Sequence, residues 1–440
     1  ILCANHPQGM ARPHELAYSP GRGLGQLLQL ALVGIAVGLA CWPLNQIDRW
    51  QDALLRRLPG FGGRWDVASL ALLLAPLLVM PLLLLLLQNR IWSRGAGAGI
   101  PHVLVCLEEP ARTPELMAPA ATLQRLTLWT IASLALFPLG REGPVVQLGG
   151  AVLVALRRRF PALLGWMGQR ERLAVAGAAG LAAGFNTPLV AVVFLVEELL
   201  GRFVPALVWP GLVVALLAAL VSALGGQPEF AFGVLKVEAL ETGQFLWAVP
   251  FGLLAGLLGA LLSVLLLALG SRVVPLARRH PLRIGLAIGA LLAALALLSG
   301  GASGGDGEAL MELLLRQGVG QNQGLWAAPL TLLTRLLGPA VALAAGVPGG
   351  LIDPALAIGA LLGRSLGDPL GIGTLALALG MAASLAGATQ LPVMSLLFSL
   401  RLAGDQQLLP GMLLASVLGA CVGRLLMRKG IYHTLSERLG

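Results

Sequence analysis

Apolar stretches recur from residue 24 to residue 426, and glycine or proline breaks many of them. They fall at about 24–43, 66–88, 121–139, 143–156, 173–196, 203–224, 245–270, 283–299, 325–345, 350–363, 371–388, 391–402 and 407–426. A helix that crosses a bilayer needs about 20 apolar residues. Several stretches are long enough. Others are shorter and broken, which predicts helices that stop inside the membrane. Such ends are tolerated where the backbone lines a cavity within the protein. The expected fold class is therefore an all-α polytopic membrane protein with many tilted and broken helices. Composition agrees: 57% of residues are hydrophobic and 12% charged, against about 25% charged in soluble chains. The mean hydropathy is +0.83. The 58 glycines suit helices whose backbones approach closely in lipid.

The formal net charge is +9. The arginines cluster between apolar runs, at Arg56 and Arg57, Arg157 to Arg159, Arg278 and Arg279, and Arg424 to Lys429. Clusters flanking membrane spans fit anionic head groups. With few aromatics and no basic recognition helix, nucleic-acid binding is excluded. By the positive-inside tendency, 278–283 and 424–429 are expected in cytoplasmic loops. The cysteines Cys3, Cys41, Cys106 and Cys421 are dispersed and show no metal-ligand spacing, so they read as small apolar filler and no metal is expected. The histidines His6, His14, His102, His280 and His433 are expected at ends or in loops. Without a His-Glu-x-x-His or Gly-x-Ser-x-Gly pattern, an intramembrane enzyme is not expected.

The two halves resemble each other. Matching Pro188 with Pro392 aligns Leu181 with Leu385, Ala182 with Ala386 and Phe194 with Phe398. A second match aligns Gly140 with Gly350, Pro144 with Pro354 and Gly149 with Gly359. The offsets are 204 and 210 residues, so the order is kept. Either Gly/Ala/Leu-rich segments coincide by chance or the chain is an internal repeat with a transport site at the repeat interface. The repeat reading divides it into a polar N-terminal segment (1–23, without a signal-peptide core), a first repeat (24–224), a linker (225–244) and a second repeat (245–440). Residues 301–324 are a further polar interruption.

Five features carry candidate chemistry. In Gly140-Arg141-Glu142-Gly143-Pro144, Pro144 suits the first turn of a helix, whose free N–H groups and dipole attract anions. Glu142 then lies beside an anion position in an apolar segment, where carboxylates are costly and usually functional; alternatively Arg141 and Glu142 are a structural pair or cap. Gly97-Ala98-Gly99-Ile100-Pro101 and Gly346-Val347-Pro348-Gly349-Gly350-Leu351-Ile352-Asp353-Pro354 are similar helix starts. Singly they read as ordinary loops; together they suggest helix N-termini converging on one anion. Glu197-Glu198 closes an apolar run, as a proton site or an interfacial pair. Tyr432 is an anion-contacting phenol or an aromatic-belt residue.

Together these motifs resemble the CLC family of chloride channels and transporters: Gly-Arg-Glu-Gly-Pro followed by Val-Val-Gln-Leu-Gly-Gly, an upstream Gly-x-Gly-Ile-Pro, a downstream Pro-Gly-Gly-x-x-x-Pro and a late tyrosine. The resemblance spans about residues 24–436. It implies an inverted-repeat CLC-type fold, a homodimer with one anion pore per subunit, bound chloride ions, and no other cofactor. It implies that Glu142 is the external gate and Glu198 the internal proton-transfer glutamate of an antiporter. Tyr432, the backbone of Leu351 and Ile352, and Ala98, Gly99, Arg141 and Gly143 are the implied anion-binding set. The expected activity is chloride transport coupled to proton antiport in a cell inner membrane. A passive anion channel, or selectivity for fluoride or nitrate, is the alternative.

Two residues depart from the family pattern. Ala98 stands where chloride-type members usually have Ser, and a methyl group cannot donate to an anion. Asp353 stands where relatives usually have an uncharged residue; it reads either as a helix cap or as an added titrating site. Arg401 is expected to be an interfacial residue at a helix end. No long soluble segment follows Tyr432, so a C-terminal regulatory domain is expected to be absent.

Overall fold

The computed structural model describes residues 20–58, 66–224, 242–317 and 329–439. The expected N-terminal segment and the linker at 225–244 lie almost wholly outside these residues, as do Cys3, His6 and His14.

The first half contains α1 (Pro20–Arg57), α2 (Val67–Leu86), α3 (Ile100–Glu108), a short α4 (Thr113–Leu116), α5 (Pro119–Leu134), α6 (Glu142–Arg159), α7 (Gln169–Phe185), α8 (Pro188–Phe194) and α9 (Pro205–Ser222). The second half follows the same order with α10 (Ala248–Arg279), α11 (Pro281–Leu298), α12 (Glu308–Gln317), α13 (Pro329–Ala344), α14 (Ile352–Gly367), α15 (Gly373–Thr389), α16 (Pro392–Ala403) and α17 (Leu409–Leu426). A last helix, α18 (Ile431–Glu437), closes the described chain. Among the described residues, six helical segments are long and apolar enough to cross a membrane.

The packing repeats with the order. α6 lies on α7 as α14 lies on α15, and α1 lies on α9 as α10 lies on α17. α2 and α11 pack on each other across the two halves. Asn186 and Gln390, 204 residues apart, end α7 and α15 in the same left-handed conformation, φ 51° and 65°. α15 is buried around its whole circumference, the condition in which a helix needs no polar face. Leucines such as Leu72 and Leu286 are exposed on α2 and α11, both long and apolar enough to cross a membrane.

At the centre, Gly140 and Gly350 exchange backbone hydrogen bonds in an antiparallel bridge. The chain runs in opposite directions through the two positions, so α6 and α14 start side by side and diverge. Arg141 and Leu351, the residues preceding these helices, have nearly the same backbone angles (φ −107°, ψ −5° and φ −117°, ψ −1°). The repeat is therefore inverted.

Two elements differ from the apolar pattern. α1 continues past residue 43 to Arg57, because Asn45, Asp48 and Gln51, three residues apart, form a buried polar stripe. Asn45 Nδ2 donates to the Ala183 carbonyl (2.9 Å), Asp48 pairs with Arg141, and Gln51 accepts from Ser133. The polar interruption at 301–324 contains α12. A turn over Ser299–Gly307 precedes that helix, and the fully buried Arg335 holds it through the carbonyls of Gly304 (3.0 Å) and Gly305 (2.9 Å).

Candidate anion and proton site

The three glycine-proline helix starts converge. Gly97 N–H donates to the Gly346 carbonyl at 2.9 Å, joining the turn before α3 to the turn before α14. Gly99 has φ +93°, a conformation side chains rarely adopt. A Cβ at Gly99 would meet the backbone of Gly143, and one at Gly143 would meet the carbonyl of Ala98. Glycine is thus required where α3 and α6 begin against each other.

Glu142 is fully buried, and its Oε1 accepts the Ile352 N–H at 2.6 Å. The Leu351 N–H also faces this carboxylate. The acid belongs to α6 and the donors to α14, so the side chain of one repeat sits on the helix N-terminus of the other. Gly350 makes this approach possible, since a Cβ there would overlap the Glu142 carboxylate. Oε2 of Glu142 has no hydrogen-bond partner among the described residues. Tyr432, 2% exposed, directs its hydroxyl toward the Glu142 carboxylate without completing an ideal hydrogen bond, with Glu198 and Asp353 also in electrostatic range.

A cavity of about 970 Å³ reaches this cluster. Its lining includes the exposed or half-buried Arg94, Arg112, Glu115, Arg278 and Arg438 and, beside them, Ala98 and the buried Gly349, Gly350, Leu351 and Tyr432. Glu142 does not line it; the carboxylate sits behind Gly350 and Ile352. The lining thus combines a surplus of positive charge with backbone amides, a phenol and a methyl group, an arrangement suited to a small anion.

Arg141 does not point its guanidinium at that position. It pairs with Asp48, lies 3.7 Å from Glu308, donates to the Gly184 carbonyl (2.9 Å) and stacks over Phe185 with 4.5 Å to the ring centre. These partners hold the guanidinium, so Arg141 can serve an anion here only through its backbone. Asp353 is not a cap either. No side-chain cap bond forms at α14, whose leading N–H groups already face Glu142. The Asp353 carboxylate is buried, with Oδ2 unpartnered among the described residues, and lies within electrostatic range of Glu142, Arg141, Asp306 and Glu308. Arg401 stands in the last turn of α16 as expected, but it is half-buried and turned toward Glu308 and Asp353 instead of head groups.

Glu197 and Glu198 separate in a π-helical turn, Leu195–Leu200, a distortion frequent at functional sites. Glu197 accepts the backbone N–H groups of Val393 (3.1 Å) and Met394 (2.8 Å), capping α16. Glu198 is 2% exposed, and its Oε1 has no hydrogen-bond partner among the described residues. The His433 Nε2 lies 3.6 Å from this oxygen.

Sequence reasoning passed over three residues here. Arg125, 1% exposed, donates to the carbonyls of Arg94 (3.2 Å) and Ala96 (2.9 Å) and meets His102 Nε2 at 3.0 Å, fixing the turn that presents Ala98. Arg335 does the same for the turn before α12, and the two arginines stand 210 residues apart, the offset of Gly140 and Gly350. That shared offset was the available signal. His433 is the third. It lies inside α18, and His102 is buried in the first turn of α3, so neither is a loop residue.

The comparisons with known proteins agree with this architecture. The family model described as voltage gated chloride channel matches residues 80–424. The voltage-gated ClC-type chloride channel ClcB of Escherichia coli O81 (strain ED1a) is 33% identical over 310 residues, covering 67% of this chain and 71% of the relative. A slow cyanobacterial Cl-/H+ antiporter superposes with a TM-score of 0.73 at 20% identity, over 94% of this chain and 97% of the other. A CLC-type fluoride/proton antiporter gives 0.72 at 20% identity, over 93% and 97%. At such identity the two structures speak for the fold alone. With the family model spanning most of its length, the chain belongs to the voltage gated chloride channel family, the CLC family.

Proposed function

We propose that this protein exchanges chloride for protons, with Glu142 as the gate and Glu198 as the internal proton site. The observation that carries the reading is the 2.6 Å hydrogen bond from Ile352 N–H to Glu142. A helix N-terminus inside a membrane protein is an anion seat, and here a carboxylate occupies it. Charged, Glu142 competes with chloride for the seat; protonated or displaced, it leaves the seat free. One group that both blocks the anion and carries the proton links the two flows.

Glu198 supplies what a channel does not need, a second buried carboxylate on the route to Glu142. Glu197 cannot replace it while bound to α16. The seat consists of the Leu351 and Ile352 amides, the backbone at Ala98, Gly99 and Gly143, and the Tyr432 hydroxyl. Arginines in the cavity lining draw anions in, and by the positive-inside tendency the end where they lie is cytoplasmic, in a bacterial inner membrane. The resemblance implies a homodimer, which cross-linking in membranes tests.

The deciding experiment is a vesicle loaded with chloride, with chloride efflux and proton uptake recorded together. Chloride-driven uphill proton uptake that disappears in Glu198→Gln, while chloride still flows, is the expected result. Chloride flux without proton movement in the unaltered protein would make it a passive channel, the activity named for the Escherichia coli relatives. Substituting fluoride, bromide or nitrate then establishes the anion order at a seat with Ala98 in its wall.

A further inference from the structure

The geometry points to His433 as the residue that passes protons from the cytoplasmic solution to Glu198. This inference rests on the exchanger reading above and adds the entry step it lacks. Glu198 is 2% exposed, so bulk water does not reach it freely. The His433 side chain is 37% exposed, and its Nε2 lies 3.6 Å from Glu198 Oε1. His433 shares its helix face with Glu437, four residues on, which pairs with the exposed Lys429, so one ring joins an exposed charged face to the buried acid. The distance suits transfer after a small side-chain shift or through one bridging water. Oε1 has no competing hydrogen-bond partner among the described residues.

Around this pair, the charge of Glu197 and the Tyr432 phenol lie within electrostatic range of Glu198, and the other charged groups are engaged elsewhere. Glu197 is held by the Val393 and Met394 amides, with Arg424 in electrostatic range. On α18, Glu437 pairs with Lys429, which also feels Glu108 at the end of α3. Arg438 donates to the Leu267 carbonyl of α10 at 2.9 Å. α15, which also touches α18, contains no ionisable side chain. Histidine is the side chain that ordinarily changes charge near neutral pH, which fits it for relay work. In the step, the Nε2–H bond of the imidazolium breaks and an O–H bond forms on Glu198 Oε1. The neutral ring then takes its next proton from water or buffer. Tyr432, the preceding residue, faces the anion seat, so one turn of α18 carries an anion contact and a proton contact on neighbouring positions.

The test uses the full chain in vesicles, with chloride efflux and proton uptake recorded across a range of cytoplasmic-side pH. His433→Ala and His433→Gln are compared with the unaltered protein and with Glu198→Gln. Both histidine variants are expected to take up protons about tenfold more slowly, less than the ~10²-fold or more that a positioned proton donor supplies, because water retains some access. The deficit should be largest at high pH, where free protons are scarcest. Adding imidazole to the cytoplasmic-side buffer should restore uptake in His433→Ala, a response a merely structural role would not give. Uptake and pH profile equal to the unaltered protein, or a loss that imidazole does not restore, would overturn the relay. An unaltered protein that moves chloride but no protons removes the exchanger itself; normal exchange with silent histidine variants removes the relay alone.

Discussion

Gly140 and Gly350 donate to each other's carbonyls, both at 2.9 Å, and so tie the two halves of the chain at the point where α6 and α14 begin. The neighbours of this pair determine what the site does: Glu142 follows one glycine, and the amides that receive its carboxylate follow the other.

Gly350→Ala adds a methyl group where the Glu142 carboxylate lies. The backbone at 350 tolerates alanine, since its φ is not positive. The side chain of Glu142 must therefore leave its seat. Coupling between chloride efflux and proton uptake is expected to fall, and chloride flux should lose most of its pH dependence. Paired flux recordings in vesicles check this.

Glu142→Ala removes the competitor and leaves the Ile352 amide free. Chloride affinity, measured by titration calorimetry in detergent, should rise about ten- to a hundredfold, in line with the roughly 1.5–3 kcal/mol of a hydrogen bond to a charged group. Proton uptake should stop.

Asp353→Asn replaces a buried carboxyl within electrostatic range of Glu142 by a group that cannot titrate. Interacting acids titrate as a set and not one by one. The pH profile of chloride flux is therefore expected to change shape, read from vesicle efflux over a pH series; an unchanged profile would leave Asp353 without a part in gating.

Glu197→Gln and Glu198→Gln should part company. The first weakens the cap of α16, costing about 1 kcal/mol of stability, and leaves proton coupling in place. The second abolishes proton coupling and leaves the melting temperature nearly unchanged. Thermal unfolding in detergent beside proton uptake separates the two neighbours.

Arg125→Met and Arg335→Met each leave two carbonyls unpaired in a buried turn. Each should destabilise by about 2–6 kcal/mol, at roughly 1–3 kcal/mol for each buried carbonyl left unsatisfied. Arg125→Met should also weaken chloride binding, because the turn it holds carries Ala98. Arg335→Met acts on the turn before α12 and should affect binding less. Melting curves with and without chloride distinguish them.

Much of this architecture was legible in the sequence, and the reason is local. Helix starts are written in glycine and proline within a few residues, so the turns at 97–101, 140–144 and 346–354 could be read directly, and the paired offsets exposed the repeat. The resemblance to a known family pointed to Glu142 and Glu198. What was not legible depends on partners far along the chain. What the Arg141 guanidinium does is unreadable until Asp48, on another helix, is seen to hold it. Asp353 looks like a cap until Glu142, 211 positions earlier, is found on the donors it would have used. Arg125 and Arg335 each stand alone among leucines, and only their common turn geometry gives them a purpose. His433 was discounted because a position near the end of a chain says nothing about what lies across from it.

The bond between Glu142 and Ile352 has a consequence for where a valve can be made. On the proposed reading, the plug comes from one half of the chain and its socket from the other. Neither half holds both, so gating is a property of their pairing, created at the seam where one arrangement meets its own inverted image.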